Sequence, residues 1–288
     1  LDMVDFSCGA PRNAFMHAYY TDHVECFLIK LCYRVCLPHR YGLDMVDFSC
    51  GAPRNAFMHA CYTDHMEMAR ELLPHMTDNA CKQKTHGGCM AMHVACQWGA
   101  ERCVGLMLSS PETSWQAFAV NDAGELPLHL ACGAEGAGPG HVGVVRQLLR
   151  FKGMVPDGRA RGYLLESFEL GLRGGLNARV GEQCYSPLLL ACQREGPAYD
   201  QMVRLLLQQR GMLVGEPERR HVNGGVHARD SAGMTALHWA CQQGGKKKGV
   251  ERQLIEAGAS MQAKNDAGQT PQQLAGDRKS TRLNSSHY

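Results

Sequence analysis

The sequence predicts an all-α solenoid of stacked helix-turn-helix units, and three observations lead to that prediction. A short block recurs along the chain and is clearest at residues 126–132, Leu-Pro-Leu-His-Leu-Ala-Cys, and at 235–241, Thr-Ala-Leu-His-Trp-Ala-Cys. A segment with apolar residues at helical spacing follows the block, and a turn sequence precedes it. Units that recur at a near-fixed period stack into an array, because each one buries its apolar face only against its neighbours. Function is therefore expected on a surface rather than in a single pocket.

Each block has the chemistry of a helix start. A side-chain hydroxyl or amide caps free backbone N–H groups, and proline follows where its missing N–H costs nothing. The leucine and alanine of the block then face inward. The apolar residue before the alanine is predicted to pack on the neighbouring unit, at Val94, Leu130, Leu190 and Trp239. Turn chemistry for a hairpin precedes the block at residues 121–124, 230–233 and 265–268.

These motifs, in this order, resemble the ankyrin-repeat family. The blocks match Thr-Pro-Leu-His-x-Ala, residues 140–149 match Gly-His-x-x-Val-Val-x-x-Leu-Leu, and residues 258–259 match the Gly-Ala that ends a repeat. The resemblance covers most of residues 43–276. It implies stacked repeats with short β-hairpin or turn fingers, with about five to six repeats plus a partial C-terminal one. In three copies we expect the family's histidine and its side-chain hydrogen bonds to be missing, at Met16, Met58 and Leu189.

The spacing of the copies predicts where the array is interrupted. The copies begin at Asn13, Asn55, Met90, Leu126, Ser186 and Thr235, with a truncated one at Thr270. The shorter steps between their alanines are 35 or 36 residues, close to the ankyrin period of about 33. The longer steps predict insertions near residues 152–184 and 211–226, which we interpret as elaborated loops.

Both ends of the chain differ from the repeats between them. Residues 1–18 are identical to residues 43–60, although the exposed positions of related repeats normally diverge. We interpret residues 1–42 as a duplicated segment, either a degenerate repeat or an artefact of sequence assembly. Residues 277–288 resemble a translated sequencing adapter and are interpreted as a non-native or disordered tail. The repeat domain is thereby placed at residues 43–276, and the natural protein is expected to continue beyond it.

The composition indicates an intracellular protein, cytoplasmic or nuclear. Hydrophobic residues make up 44% of the chain, charged residues 20%, and the net charge is +2, which argues against an electrostatic nucleic-acid binder. Four of the 14 cysteines share the last position of a block and are interpreted as reduced core thiols, at Cys96, Cys132, Cys192 and Cys241. No stretch is long and apolar enough to span a membrane, and no signal peptide is recognisable.

Several motifs suggest enzymatic or metal chemistry, and each has a structural alternative. Residues 138–143 satisfy G-x-G-x-x-G with Asp157 downstream, but Pro127 interrupts the apolar run before them, so we interpret them as a loop between helices. The run of lysines at 246–248 is interpreted as a solvated turn. The paired spacing of a zinc site is absent from the cluster of Cys81, His86, Cys89 and His93. The sequence thus predicts no catalytic residue, no cofactor and no metal.

The resemblance implies a non-enzymatic scaffold or adaptor that binds a protein partner on the concave surface of hairpin tips and first helices. Contacts in this family come from the residue after the hairpin glycine and from two positions after the Ala-Cys pair. Those positions are Glu125, Met234 and Gln269 at the tips, and Gln97, Trp98, Gln193, Arg194, Gln242 and Gln243 on the helices. Trp98 is the preferred anchor, because tryptophan is enriched at binding hot spots. The alternative is that Trp98 packs against an adjacent first helix.

Two other functions stay open on sequence grounds. In one, the array is the targeting or regulatory segment of a larger enzyme, such as a kinase or ubiquitin-ligase subunit, whose catalytic domain lies outside the given chain. In the other, the array itself binds a nucleotide through Gly138 and Gly140. Neither nucleic acid nor membrane insertion is expected.

Overall fold

The computed structural model describes residues 54–151, 183–209, 225–243 and 247–275. The helices in these ranges are α1 Ala56–Tyr62, α2 Met66–Leu72, α3 Asp78–Lys82, α4 Ala91–Gln97, α5 Glu101–Ser109, α6 Pro111–Ser114, α7 Pro127–Gly133, α8 Pro139–Arg150, α9 Pro187–Gln193, α10 Pro197–Leu207, α11 Ala236–Gln242 and α12 Lys248–Glu256. Short 3-10 helices at Leu73–His75 and Trp115–Phe118 follow α2 and α6, and residues 271–275 are helical. The predictions made for residues 1–42, for most of both insertions and for residues 277–288 lie outside the described ranges.

The helices stack in two rows. Each of the first helices α1, α4, α7, α9 and α11 packs on the next one in that order, and so does each of the second helices α2, α5, α8, α10 and α12. We number the resulting helix pairs as repeats 1 to 5. Helix α7 contacts α9, and α9 contacts α11, although residues 152–182 and 210–224 separate them in sequence. The insertions therefore leave the stack continuous, and the prediction of an all-α solenoid is confirmed.

Side-chain caps start three of the first helices, as the blocks predict, and the capping residues are Asn55, Ser186 and Thr235. The Asn55 side-chain oxygen accepts a hydrogen bond from the backbone N–H of Met58 at 2.8 Å. The Ser186 hydroxyl accepts from the N–H of Leu189 at 3.3 Å. Each cap satisfies a donor that the first turn of a helix leaves without an intrahelical partner.

The block histidines of repeats 2 and 5 join those repeats to the turn that follows. In His93, Nδ1 accepts from the N–H of Met90 at 3.2 Å, and Nε2 donates to the carbonyl of Glu125 at 3.1 Å. His238 makes the same pair of bonds, with Nε2 donating to the carbonyl of Gln269 at 3.1 Å. Because both ring nitrogens are used, these buried imidazoles serve as connectors between neighbouring repeats.

The first repeat replaces the missing histidine with another side chain. Met58 is fully buried and makes no such bond, but Asn55 Nδ2 donates to the carbonyl of Ala80 at 3.2 Å and to Gln83 Oε1 at 2.8 Å. Asn55 therefore caps its own helix and also reaches the segment that leads to the next repeat. The histidine's bonds are missing at this block, as expected, and the asparagine supplies other side-chain bonds there.

The block cysteines are packed in the core. Cys96, Cys132 and Cys192 have no exposed surface, and Cys241 is buried as well. Burial raises the pKa of the Cys192 and Cys241 thiols to about 12, and it also raises the pKa of Cys96 and Cys132. The nine cysteines in the described ranges form no disulfide. These thiols are therefore protonated packing groups at neutral pH.

The turns before the blocks, which we call fingers, are hydrogen-bonded to one another. The carbonyls of Gly87, Gln183 and Ala232 each accept from the backbone N–H of the following finger, at 3.2, 3.1 and 3.1 Å. The donors are Asp122, Ser231 and Asp266. An isolated antiparallel bridge joins Arg229 and Thr235. The fingers are therefore turns with a fixed spacing rather than extended strands.

Cys184 occupies the finger position that glycine holds elsewhere. Its φ is 54°, whereas the equivalent glycines have φ between 72° and 77°, at Gly88, Gly124, Gly233 and Gly268. A left-handed backbone costs a residue with a Cβ about 1 kcal/mol or more, part of which is offset by the greater freedom of glycine in the unfolded chain. We expect Cys184→Gly to raise the free energy of unfolding by about 0.5–1 kcal/mol in a urea titration.

The control for this prediction is Cys184→Ala, which removes the thiol but keeps the Cβ. An alanine variant that gains as much stability as the glycine variant would show that the thiol, and not the backbone, is responsible.

Residues 138–143 do not form the loop that the sequence suggested. Gly138 is the N-cap of α8, and Gly140 and Gly143 lie inside that helix. A Cβ on Gly140 would stand 2.3 Å from the carbonyl oxygen of Gly99, and one on Gly143 would meet the carboxylate of Glu101 at 2.0 Å. Gly140 and Gly143 permit close contact between repeats 2 and 3, so the interpretation as a loop between helices is corrected to helix packing.

Lys247 corrects the interpretation of the lysine run as a solvated turn. Its side chain is only 1% exposed, and Nζ donates to the carbonyls of Ala191 at 3.0 Å and Cys192 at 3.2 Å. Burial lowers the pKa of this ammonium group, while nearby Cys192, Asp200 and Glu195 act in the opposite direction. Lys247 thus caps the C-terminal end of α9 from the next repeat, where a cation is favoured by the helix dipole.

Candidate functional site

The predicted contact residues lie at the C-terminal ends of the first helices and in the fingers. Trp98 is the C-cap of α4 and is 49% exposed. Its ring packs edge to face against Tyr62, the last residue of α1, with ring centroids 4.6 Å apart. The guanidinium of Arg54 lies over the Tyr62 ring, 4.4 Å from its centroid. Trp98 therefore packs against the adjacent first helix and also remains open to solvent, so both sequence interpretations describe part of its environment.

Gln97 lies beside Trp98 at the end of the same helix. Its side chain is exposed, and its backbone carbonyl accepts a hydrogen bond from Nε2 of His141 at 3.0 Å. Because His141 belongs to α8 in repeat 3, the end of α4 is fixed from the next repeat. The exposed amide of Gln97 is left available to a partner next to the indole.

The predicted contact residues at the helix ends of repeats 4 and 5 are half-buried, and three of the four interact with each other or with a neighbouring loop. Gln243 Nε2 donates to the backbone carbonyl of Gln193 at 2.9 Å. Arg194 forms an ion pair with Glu135 at 3.1 Å, which links the loops of repeats 3 and 4. Gln242 is also half-buried. The structure therefore divides the predicted helix residues into an exposed pair, Gln97 and Trp98, and a half-buried set, of which Gln193, Arg194 and Gln243 also join repeats.

At the finger ends, Glu125 and Gln269 are half-buried, and each is held by an asparagine of its own finger. Asn121 Nδ2 donates to the Glu125 carboxylate at 2.9 Å, and Asn265 Oδ1 accepts from the Gln269 N–H at 2.8 Å. These two residues remain partly accessible at the edge of the surface.

Met234 does not fit the prediction that it is a contact residue. Its side chain is 7% exposed, and Nδ2 of Asn265 lies 3.4 Å from its sulfur. The next finger covers Met234, because consecutive fingers stack closely. The position after the hairpin glycine is therefore a packing position in this repeat.

Sequence reasoning missed Tyr62 and Arg54. Tyr62 is the last residue of α1, just as Gln97 is the last residue of α4, so it directly follows an Ala-Cys pair. The rule that nominated Gln97 and Trp98 applies to it without change. Arg54 has no such signal, because only the fold brings its guanidinium over the Tyr62 ring.

No group of three or more His, Cys, Asp or Glu side chains within the described ranges is arranged to hold a metal ion. His93 is engaged with backbone groups, and the cluster that contains Cys81, His86 and Cys89 does not assemble a site. In the same part of the chain no helix has the length and apolarity needed to cross a membrane.

Comparison with known proteins agrees with this architecture. A model of ankyrin repeats in three copies matches residues 31–119 and 57–160, and a single ankyrin-repeat model matches residues 232–266. Together these ranges cover more than half of the chain. The chain belongs to the ankyrin-repeat family. No curated protein matches the sequence of this ankyrin-repeat protein.

Two solved structures share the fold of this ankyrin-repeat protein. One is the ankyrin repeat domain of Bcl-3, a member of the IkappaB protein family, with 20% identity, a TM-score of 0.54, and coverage of 91% of this chain and 92% of that one. The other comes from the predatory endopeptidase Bd0816 of Bdellovibrio bacteriovorus in complex with immunity protein Bd3460, with 16% identity, a TM-score of 0.53, and coverage of 78% and 93%. At these identities the likeness establishes a common fold. Ankyrin repeats generally mediate protein–protein interactions.

Proposed function

We propose that this ankyrin-repeat protein is a non-enzymatic scaffold or adaptor that binds a protein partner on the surface of first-helix ends and fingers. Trp98 is the main contact in this proposal. The observation that carries it is the half-exposed indole at the end of α4. A large aromatic side chain in this position still has free energy to gain from burial against a partner.

Trp98 is held in place before a partner binds. Its ring contacts Tyr62, and the Arg54 guanidinium lies over the Tyr62 ring. A side chain whose rotamer is already restricted loses little conformational entropy on binding. Tryptophan, tyrosine and arginine are also the residue types most enriched at hot spots. The three residues therefore support a preorganised contact.

The predicted contact positions at the ends of the first helices are mostly uncharged amides. Gln97 is exposed beside Trp98, and Gln193, Gln242 and Gln243 lie half-buried at the ends of later first helices. An amide side chain both donates and accepts hydrogen bonds, so it matches polar groups of a partner without requiring a charge. An aromatic centre with a polar rim is the usual composition of a protein interface.

The histidines and cysteines of the blocks support a non-enzymatic role. His93 and His238 have both ring nitrogens engaged with backbone groups. Burial raises the pKa of the block cysteines, so their thiolate forms are scarce at neutral pH. Groups in these states are poor general bases and poor nucleophiles.

We place this function inside the cell, in the cytoplasm or the nucleus. The cysteines in the described ranges are free thiols, and most of them are buried. Free thiols in this number are typical of a reducing compartment.

The test is affinity capture with the full chain, comparing wild type with Trp98→Ala. We expect partners recovered with the wild type to be lost with Trp98→Ala. The dissociation constant of a recovered partner should increase about 30-fold or more, since a hot-spot tryptophan contributes about 2 kcal/mol. The measurement is quantitative mass spectrometry of the captured proteins, followed by calorimetric titration with the purified partner.

Ile255→Ala is the matched control. Ile255 is the other large apolar side chain that is strongly exposed in the described ranges, at 42%, but it lies on the second helix α12. Partners retained by Ile255→Ala and lost by Trp98→Ala support the proposed surface. Equal retention by both variants, with circular dichroism spectra like that of the wild type, would contradict it.

A further inference from the structure

Arg54 is a half-buried cation beside the aromatic pair of the proposed surface. Its guanidinium carbon lies 4.4 Å from the centroid of the Tyr62 ring, and that centroid lies 4.6 Å from the centroid of Trp98. The Nε nitrogen of Arg54 is buried and has no hydrogen-bond partner. None of the ion pairs between described residues includes Arg54. A positive charge is therefore held at the aromatic pair, and no described carboxylate is paired with it.

Other arginines of repeats 1 and 2 differ from Arg54 in this respect. The Glu67 carboxylate lies 3.3 Å from Arg70 on α2 and 3.8 Å from Arg102 on α5. A nucleic acid is bound through several unpaired cations that follow its phosphates, often beside stacked aromatic rings. With Arg70 and Arg102 paired within the chain, Arg54 matches a single carboxylate better than a row of phosphates.

A carboxylate from a partner would supply the anion that Arg54 lacks. A guanidinium that lies on an aromatic face keeps N–H donors at its edge, and its fork matches the two oxygens of a carboxylate. Removing a cation partly from water costs free energy, and an opposite charge offsets that cost. An ion pair formed at a half-buried position is also screened less by salt than one on an open surface. Arg54 therefore favours an acidic side chain over a neutral one.

We propose that the protein segment bound at Trp98 carries an aspartate or glutamate that pairs with Arg54. This inference rests on the proposed function, because it names the chemistry of the partner at the same surface. An apolar side chain of the segment covers the Trp98 indole, and the neighbouring carboxylate accepts hydrogen bonds from the Arg54 guanidinium.

The geometry limits how far apart these two partner residues lie in sequence. Because both measured distances end on the Tyr62 ring, the guanidinium of Arg54 and the indole of Trp98 are within about 9 Å of each other. Side chains two residues apart in an extended segment, or three to four apart in a helix, reach both groups. The acidic residue is therefore expected within four positions of the apolar one.

The test is selection of a phage-displayed library of random dodecapeptides on the full chain, with Trp98→Ala as the counter-selection. We expect the peptides that require Trp98 to be enriched in Asp or Glu within four positions of a large apolar residue. The dissociation constant of such a synthetic peptide should increase about tenfold or more with Arg54→Gln. Replacing the acidic residue of the peptide by its amide should give the same increase, and the two changes together should add little more.

Arg70→Gln is the matched control, because Arg70 is an exposed arginine that is already paired with Glu67. It should change the dissociation constant less than about twofold. Circular dichroism compares the fold of the variants with that of the wild type. The amide substitution in the peptide is measured on the wild-type chain, so it decides the question even where Arg54→Gln is less stable.

Three results would overturn the inference, and they separate it from the proposed function. Peptides that require Trp98 but show no enrichment in acidic residues, or bind Arg54→Gln as tightly as the wild type, contradict the ion pair and leave the protein-binding surface standing. A library that yields no peptide dependent on Trp98 contradicts both. Binding of oligothymidylate that is lost in Trp98→Ala and in Arg54→Gln would assign the surface to single-stranded nucleic acid instead.

Discussion

Replacing Gly140 with alanine is expected to lower the free energy of unfolding by about 2–4 kcal/mol, even though alanine is the better helix former. The added Cβ would stand 2.3 Å from the carbonyl oxygen of Gly99, which is a backbone atom. Gly99 has little freedom to move away, because its φ is 69° and His141 lies directly over it. Relief of the clash therefore requires α8 to shift away from repeat 2. Urea unfolding followed by circular dichroism measures the change.

Gly249→Ala is the matched control for Gly140→Ala. Gly249 lies near the start of α12, and no heavy atom lies within 4 Å of the position of an added Cβ. Alanine there is expected to leave stability unchanged or to raise it by up to about 1 kcal/mol, since helix propensity is then the main difference. If Gly140→Ala unfolds at the same urea concentration as Gly249→Ala, α8 does not approach the Gly99 carbonyl as closely as described.

The contrast between these two glycines shows what a sequence reveals about this fold. The start of each first helix is encoded locally, by a capping side chain, an occasional proline and a fixed apolar pattern, so the blocks predict helices that the structure confirms. Gly140 and Gly249 are both glycines in or near a helical segment, and nothing in their neighbouring residues separates their roles. The distinction depends on which backbone lies opposite, and that is set by packing between repeats.

Lys247 and Met234 illustrate the same limit for side chains. A lysine within a run of three is usually solvated, yet Lys247 reaches the carbonyls of α9 because the neighbouring repeat brings them within 3.0–3.2 Å. Met234 follows a hairpin glycine, a position that is exposed when a finger is considered alone. The finger of the next repeat covers it. Contacts between repeats decide both outcomes, and a local pattern does not contain them.

The residues of the candidate site are easier to predict from the sequence than these buried contacts. The rule of two positions after the Ala-Cys pair located Trp98, and the same rule locates Tyr62 when it is applied to repeat 1. Their mutual packing follows from the stacking of α1 on α4, so the aromatic pair is a consequence of the period itself. Only Arg54, whose guanidinium reaches the Tyr62 ring in three dimensions, required the structure.

Lowering the pH from 6.5 to 4 is expected to destabilise the fold by about 3 kcal/mol through His93 alone. Burial lowers the pKa of His93 to about 4, whereas the unfolded chain titrates near 6.5. Between these values the unfolded state binds a proton that the native state does not, so stability is fully present above pH 6.5 and decreases toward pH 4. Burial also lowers the pKa of His238, which acts in the same direction. Urea titrations at pH 7, 6 and 5 measure the slope.

The variant His93→Gln separates this proton linkage from general acid sensitivity. It should be less stable than the wild type at pH 7, by about 1–3 kcal/mol, because the bonds from the imidazole to Met90 and to the Glu125 carbonyl are lost or weakened. Between pH 6 and 5 the unfolding free energies of both proteins should decrease. The decrease should be smaller for the variant, and the two slopes should differ by about 1.4 kcal/mol per pH unit. If the unfolding free energies of the two proteins decrease equally with falling pH, His93 must be protonated to the same extent in the folded and the unfolded chain. The buried connector between repeat 2 and the next finger would then carry a charge, which its environment at 0% exposure disfavours.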